Sequence, residues 1–220
     1  PGSQLMFKDT GLRCAADRVL AETDPSVLLD DEFADINSGW FQASGPIDAY
    51  FYGYHPTDFY HVQVTAPDDC LTVRNDLSVE NFMIEARIFK AATNTDTGLY
   101  RNGFVLRETS NNTFYAFTLT PRSQTWQVVK GTEGGMVVLR EGTSAAIRGD
   151  SQATEDRLFA IANGSEMTFF VNGELVAQVV DSDYGQGDIG LIVETLDETF
   201  AHIHYDAVTV WKLPEGVVAG

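Results

Sequence analysis

Along most of the chain, apolar residues fall at every second position, in short runs broken by Gly, Asn, Asp and Pro. Phe82, Ile84, Ala86 and Ile88 alternate with Met83, Glu85, Arg87 and Phe89, the period of two expected where one strand face is buried. Tyr115, Phe117 and Leu119 alternate with Phe114, Ala116 and Thr118 in the same way. Strands are predicted over 82–89, 103–108, 114–120, 125–129, 136–140, 157–162, 167–171, 175–180, 189–194 and 200–212. Asn172-Gly173 predicts a two-residue hairpin turn, because both residues tolerate the positive φ that such a turn demands, and Asn163-Gly164 predicts a second. Many short strands with regular turn signals and no long amphipathic helix predict an all-β fold, one sandwich over 27–213. Residues 1–26 lack the alternation and read as a tag-removal scar at Pro1-Gly2-Ser3 followed by a linker, with a turn or two of helix between Leu12 and Glu22. Residues 214–220 read as a short tail.

A chain of 220 residues buries roughly 70% of its unfolded surface, so it folds without a metal or a staple. Its net charge of −18 repels phosphate backbones and anionic lipid, which argues against nucleic-acid and membrane-surface partners. No apolar run approaches the ~20 residues of a spanning helix, so no membrane insertion of this segment is expected. Two lone cysteines, Cys14 and Cys70, read as one disulfide or as two idle thiols. A bridge would contribute about 4 kcal/mol and imply an oxidising, extracytoplasmic location.

Candidate chemistry is sparse. Gly185-Gln186-Gly187-Asp188-Ile189-Gly190 matches a dinucleotide fingerprint on paper, but strands flank it on both sides, so its glycines read as turn formers. Asp181-Ser182-Asp183-Tyr184-Gly185 begins like a calcium loop and lacks the closing Glu, so it reads as an acidic turn. His202 and His204 share a strand face and would hold zinc only with a third ligand from elsewhere; a solvent-facing pair is the simpler reading. No strand carries the closely spaced carboxylates of a glucanase, so a hydrolase would need acids from separate strands, with Glu85 the best single candidate.

Five stretches carry a family resemblance: Asp31-Glu32-Phe33-Ala34-Asp35 with Ser38-Gly39-Trp40; Gly103 to Arg107 with Asn112 to Phe117; Phe170 to Leu175; Gly187 to Leu191; and Tyr205 to Val210. In this order the chain resembles the concanavalin A-like lectin/glucanase superfamily, in particular laminarinase-like and 3-keto-disaccharide-hydrolase-type modules of exported bacterial proteins. The resemblance implies a two-sheet antiparallel jelly-roll β-sandwich. It also implies a structural calcium ion (Ca2+) held by Glu32 and Asp206, since those positions match the opening and closing strands. The family's catalytic carboxylate motif has no counterpart.

The expected function is therefore a non-catalytic carbohydrate-binding module, extracytoplasmic and joined to other domains of a larger parent protein. An interaction or spacer domain and a glycoside hydrolase are the alternatives. Sugars are bound by aromatic faces and fixed by polar side chains. With Phe82, Ile84, Ala86 and Ile88 inward, Glu85 and Arg87 face outward, Arg107 joins them by alternation from Phe104 and Leu106, and Trp126 lies on either face. Those four are the expected ligand-binding residues. Aromatics are dense from Trp40 to Tyr60, where core packing and an extra edge hairpin account for most of them.

Overall fold

The computed structural model describes residues 4–5, 17, 20, 24–43, 49–55, 59–90, 98–110, 112–150, 154–197, 200–214 and 218–219. After a two-residue β1 (Gln4–Leu5), the chain forms β2 (Val27–Asp31), β3 (Tyr50–His55), β4 (Phe59–Val64), β5 (Cys70–Val79), β6 (Phe82–Lys90), β7 (Tyr100–Ser110) and β8 (Thr113–Thr120). A single 3-10 turn at Pro121–Ser123 leads to β9 (Thr125–Thr132), β10 (Gly135–Thr143), β11 (Glu155–Asn163), β12 (Glu166–Val171), β13 (Glu174–Val180), β14 (Gly187–Thr195), β15 (Ala201–Lys212) and a two-residue β16 (Val218–Ala219). Strands β1 and β16 pair with each other, in parallel.

The remaining strands form two antiparallel layers. One has six strands in the order β10-β9-β8-β7-β14-β5. The other has eight, β13-β12-β11-β6-β15-β4-β3, with β2 also paired to β15. The predicted alternation of β6 and β8 is borne out: Phe82, Ile84, Ala86, Ile88, Tyr115, Phe117 and Leu119 all enter the core between the layers. Asn172 and Gly173 both have positive φ, +49° and +85°, as their hairpin requires. The extra edge hairpin is β3–β4, whose Tyr50, Tyr52 and Tyr54 pack against the core while Tyr60 is fully buried. Strand β5 was not expected, although Leu71, Val73, Leu77 and Val79 alternate across it.

Two polar groups tie the layers together inside the core. The Tyr205 hydroxyl, from β15, is shared between the carbonyl oxygens of Gly103 (2.8 Å) and Ile192 (2.9 Å) in the opposite sheet. Arg107 on β7 is the other, and it corrects an expectation: its side chain is completely buried rather than exposed. A register irregularity between Leu106 and Ser110, with φ +54° at Arg107, interrupts the alternation that would have turned it outward. Its guanidinium donates to Glu80 O through Nη2 (2.7 Å) and Nε (3.1 Å), and through Nη1 to Gly164 O (2.7 Å) and Tyr184 O (3.1 Å). Trp126, which alternation left on either face, is buried in the main core on β9 of the six-stranded sheet, so its expected place among the ligand-binding residues is not met.

The glycines of the 185–190 stretch lie partly inside a strand. A Cβ on Gly187 would come within 2.6 Å of the Arg107 carbonyl carbon and of Glu108 O, so this position needs glycine for close backbone approach. Within the expected linker, Asp17 and Leu20 dock on the outer face of the eight-stranded sheet. Asp17 pairs with Arg157 at 2.7 Å, and Leu20 packs on a patch of Met83, Phe159, Ile161, Phe170 and Leu213. Cys70 carries a free, half-buried thiol; Cys14, its expected partner, lies outside the described residues.

Removing the guanidinium strands three carbonyl groups in the interior. Arg107→Met is therefore expected to cost on the order of 3–5 kcal/mol, read as a fall in the urea midpoint with the slope unchanged. A loss below ~1 kcal/mol would show that these carbonyls find other partners.

Candidate functional site

The four expected ligand residues do not meet. Glu85 and Arg87 do face outward on β6, as read from the sequence, but β6 belongs to the eight-stranded sheet and β7 and β9 to the other. Arg157, directly opposite Arg87 on β11, takes the Glu85 carboxylate in a hydrogen-bonded ion pair. Burial nonetheless leaves the Glu85 carboxyl above its ordinary value, with Arg157 working against that shift.

Glu32 and Asp206 are brought together because β2 lies beside β15. Arg87 stands between them, with Nη2 2.9 Å from Asp206 and 3.9 Å from Glu32. As placed, the two carboxylates serve a guanidinium, and a calcium ion between them would have to displace it. The aspartates of the short acidic turn are likewise paired with a side chain: Lys130 Nζ lies 2.9 Å from Asp181 and also contacts Asp183.

The outer face of the six-stranded sheet presents a different arrangement. Its floor is a small apolar patch of Val105, Phe114, Ala116, Val129 and Ile192. Two ion pairs flank that floor, Arg101 with Glu194 at 2.8 Å and Arg74 with Asp188 at 3.5 Å. Gln127 donates to Glu141 at 2.8 Å on the β9–β10 side. Beside β5, the Arg74 guanidinium lies 5.2 Å from the ring centre of Phe41, which is 43% exposed.

Among these groups several buried polar atoms make no hydrogen bond: Glu108 Oε2, Thr118 Oγ1, Arg74 Nε and Arg101 Nε. Glu108 and Thr118 are almost wholly buried. Such orphans are exceptional in folded proteins, because each forfeits the hydration it had in the unfolded chain. Gly190 makes the room: a Cβ there would sit 3.0 Å from Val73 O and 3.6 Å from Glu108 Oε2. Burial raises the Glu108 carboxyl pKa, nearby Asp188 adds to the rise and Arg74 opposes it. Chemically, this is an apolar floor with buried polar atoms that make no hydrogen bond, set between partly exposed cations and anions, an arrangement suited to a hydroxyl-rich ligand.

Nothing in the spacing of these residues announced them. Arg74, Arg101, Thr118, Gln127 and Asp188 come from five strands, and only cross-strand register juxtaposes them. The one local signal was Gly190, a glycine inside an apolar strand, which marks a close approach.

The shift at Glu108 fixes a sign. Its folded-state pKa lies above the ordinary 4.5, so the native state holds the proton more tightly, and stability falls as pH rises through that interval. Glu108→Gln is accordingly expected to melt higher than the parent at pH 7, with the difference vanishing near pH 4. A lower melting temperature at pH 7 would mean that the ionised carboxylate is the stabilised form.

No protein-family model and no curated protein sequence matches the chain. Solved structures do match it in fold. The carbohydrate-binding module CBM66 from Bacillus subtilis superposes with a TM-score of 0.62 at 16% identity, over 79% of this chain and 96% of that one. A β-glucanase from Bacillus licheniformis gives 0.62 at 15% identity, over 85% and 98%. The catalytic domain of an endo-1,3-β-glucanase (laminarinase) from Thermotoga petrophila RKU-1 gives 0.59 at 12% identity, over 88% and 100%. With its two antiparallel layers and these neighbours, the chain has the concanavalin A-like jelly-roll fold.

Proposed function

We propose that this chain is a non-catalytic carbohydrate-binding domain of a larger exported bacterial protein, and that it takes its glycan on the outer face of the six-stranded sheet. The observation that carries the reading is a small apolar patch flanked by the partly exposed ion pairs Arg101–Glu194 and Arg74–Asp188, with polar atoms of Glu108, Thr118 and Arg101 that make no hydrogen bond buried among them. Sugar hydroxyls both donate and accept, so a glycan pairs with the partly exposed Arg101–Glu194 and Arg74–Asp188 groups, and reaches the buried Glu108 and Thr118 oxygens only where these side chains part. The fold neighbours agree with a carbohydrate ligand, since one is a carbohydrate-binding module and two are glucanases.

Melting in the presence of a panel of soluble glycans tests the proposal. A glycan at about 100 times its dissociation constant stabilises the fold by about 2.7 kcal/mol. Arg101→Ala and Thr118→Val are expected to weaken that effect at least tenfold in affinity, and Arg87→Ala to leave it unchanged. The reverse pattern would move the site to the Glu85 and Arg87 face. Silence on every glycan would leave the interaction or spacer role. Added calcium is expected to change the melting temperature by less than about a degree, given Arg87 between Glu32 and Asp206. A rise of several degrees would establish an ion there.

One observation favours a second reading. Glu108 and Asp188 stand opposite each other on neighbouring antiparallel strands, where side chains meet at roughly 5 Å. A carboxyl with a raised pKa beside a second acid is the minimum for glycoside hydrolysis with acids from separate strands. New reducing ends released from β-glucans, and lost in Glu108→Gln, would replace the binding role with that activity.

A further inference from the structure

The chain contains four histidines, at 55, 61, 202 and 204, and the fold gathers all of them on the outer face of the eight-stranded sheet. His202 and His204 point to the same side of β15, and His61 on β4 is the direct register partner of His204. The third ligand that the sequence left open is therefore supplied by the neighbouring strand. One ring nitrogen from each of His61, His202 and His204 lies within 4.8 Å of the others, and His202 Nε2 is 3.3 Å from His61 Nδ1. His55 on β3 stands alongside, its ring centre 5.7 Å from that of His61 and 6.0 Å from that of His204.

We propose that His61, His202 and His204 bind a borderline transition-metal ion, of which zinc is the representative, on the face opposite the proposed glycan site. With metal–nitrogen bonds of about 2.0–2.1 Å, tetrahedral geometry places ligand nitrogens roughly 3.3 Å apart. The His61–His202 separation already has that value, and the His204 nitrogen, within 4.8 Å of both, must close the remaining distance when the ion binds. Three neutral imidazoles without a carboxylate select zinc, nickel, copper or cobalt over calcium and magnesium. Three protein ligands also leave the fourth position open to water or to a ligand atom, or to His55.

The surroundings hold the rings in place. Phe59 stacks on His204 at 5.2 Å and 12°, Phe89 meets it edge-on at 5.2 Å, and Phe51 meets His61 edge-on at 4.5 Å. Burial first, and then the neighbouring histidines, lower the pKa to about 4 at His61 and about 3 at His204. An imidazole's ordinary pKa of about 6.5 already leaves its lone pair available at neutral pH. Without metal, the ring N–H of one of His61 and His202 donates a hydrogen bond to the other ring's nitrogen. Metal binding moves that proton to the far nitrogen of its own ring, so no net proton is released. The ion would staple the β3–β4 edge hairpin side of the sheet to β15, and the −18 charge of the chain draws cations toward it.

The test uses untagged protein stripped with chelator, titrated with zinc chloride by calorimetry and with cobalt chloride by visible absorption. One zinc per chain, the intense d–d bands of tetrahedral cobalt and a rise in melting temperature are expected. His61→Gln and His202→Gln, each shown by circular dichroism to be folded, should weaken zinc at least about 100-fold, since even an outer-shell change costs 10–100-fold. Cys70→Ser should bind like the parent. Absence of stoichiometric zinc binding, binding indifferent to both histidine variants, or equal competition by calcium would each overturn the proposal. Failure of the glycan panel leaves this result untouched, because the metal is assayed alone.

Discussion

The guanidinium of Arg107 crosses from one layer of the sandwich toward the other and ends on three backbone carbonyls. Those carbonyls belong to the β5–β6 corner, the β11–β12 turn and the loop before β14, so a single charge fixes where both sheets turn. A charge so deeply buried is tolerated only when its donors are satisfied, and here each guanidinium nitrogen has an acceptor. Burial lowers the pKa of Arg107, which records the cost of holding it there. The register irregularity that turns Arg107 inward also shifts the pairing of β7 with β14. Past that shift Glu108 stands opposite Asp188, at the border of the proposed glycan site.

The two outer faces spend their polar groups differently. On the eight-stranded sheet most charges are matched: Glu85 with Arg157, Asp206 and Glu32 with Arg87, Thr209 with Asp30. Its apolar part is covered by Leu20, and its histidines are fenced by phenylalanines. On the six-stranded sheet, buried donors and acceptors are left open beside ion pairs. Unpaired buried polar atoms lower stability, so a face that keeps several together is paying for something other than the fold.

The opening segment shows how one residue organises a loop. Asp31 accepts from the Trp40 indole at 2.8 Å, from the Phe33 amide at 2.7 Å and from the Ser38 hydroxyl. That network seats Phe33 and Trp40 in the core beside Tyr60. Glu32, between two inward residues, is left outside with Arg87.

Alternation and turn chemistry in the sequence determined the all-β class, nearly every strand from β6 onward and the Asn172-Gly173 hairpin. Each of these depends on residues within a few positions of one another. The outward placement of Glu85 and Arg87, and the shared face of His202 and His204, were legible for the same reason. Tertiary structure alone decided which strands share a sheet, and so separated Arg107 and Trp126 from Glu85 and Arg87. It also decided that Arg107 turns inward, because one extra residue on β7 against β14 inverts a face without altering the local pattern. His61 joins His204, and Glu108 meets Asp188, through pairings that span more than 140 and about 80 residues of chain. Hydrogen bonds between strands set those pairings, and no spacing in the sequence encodes them.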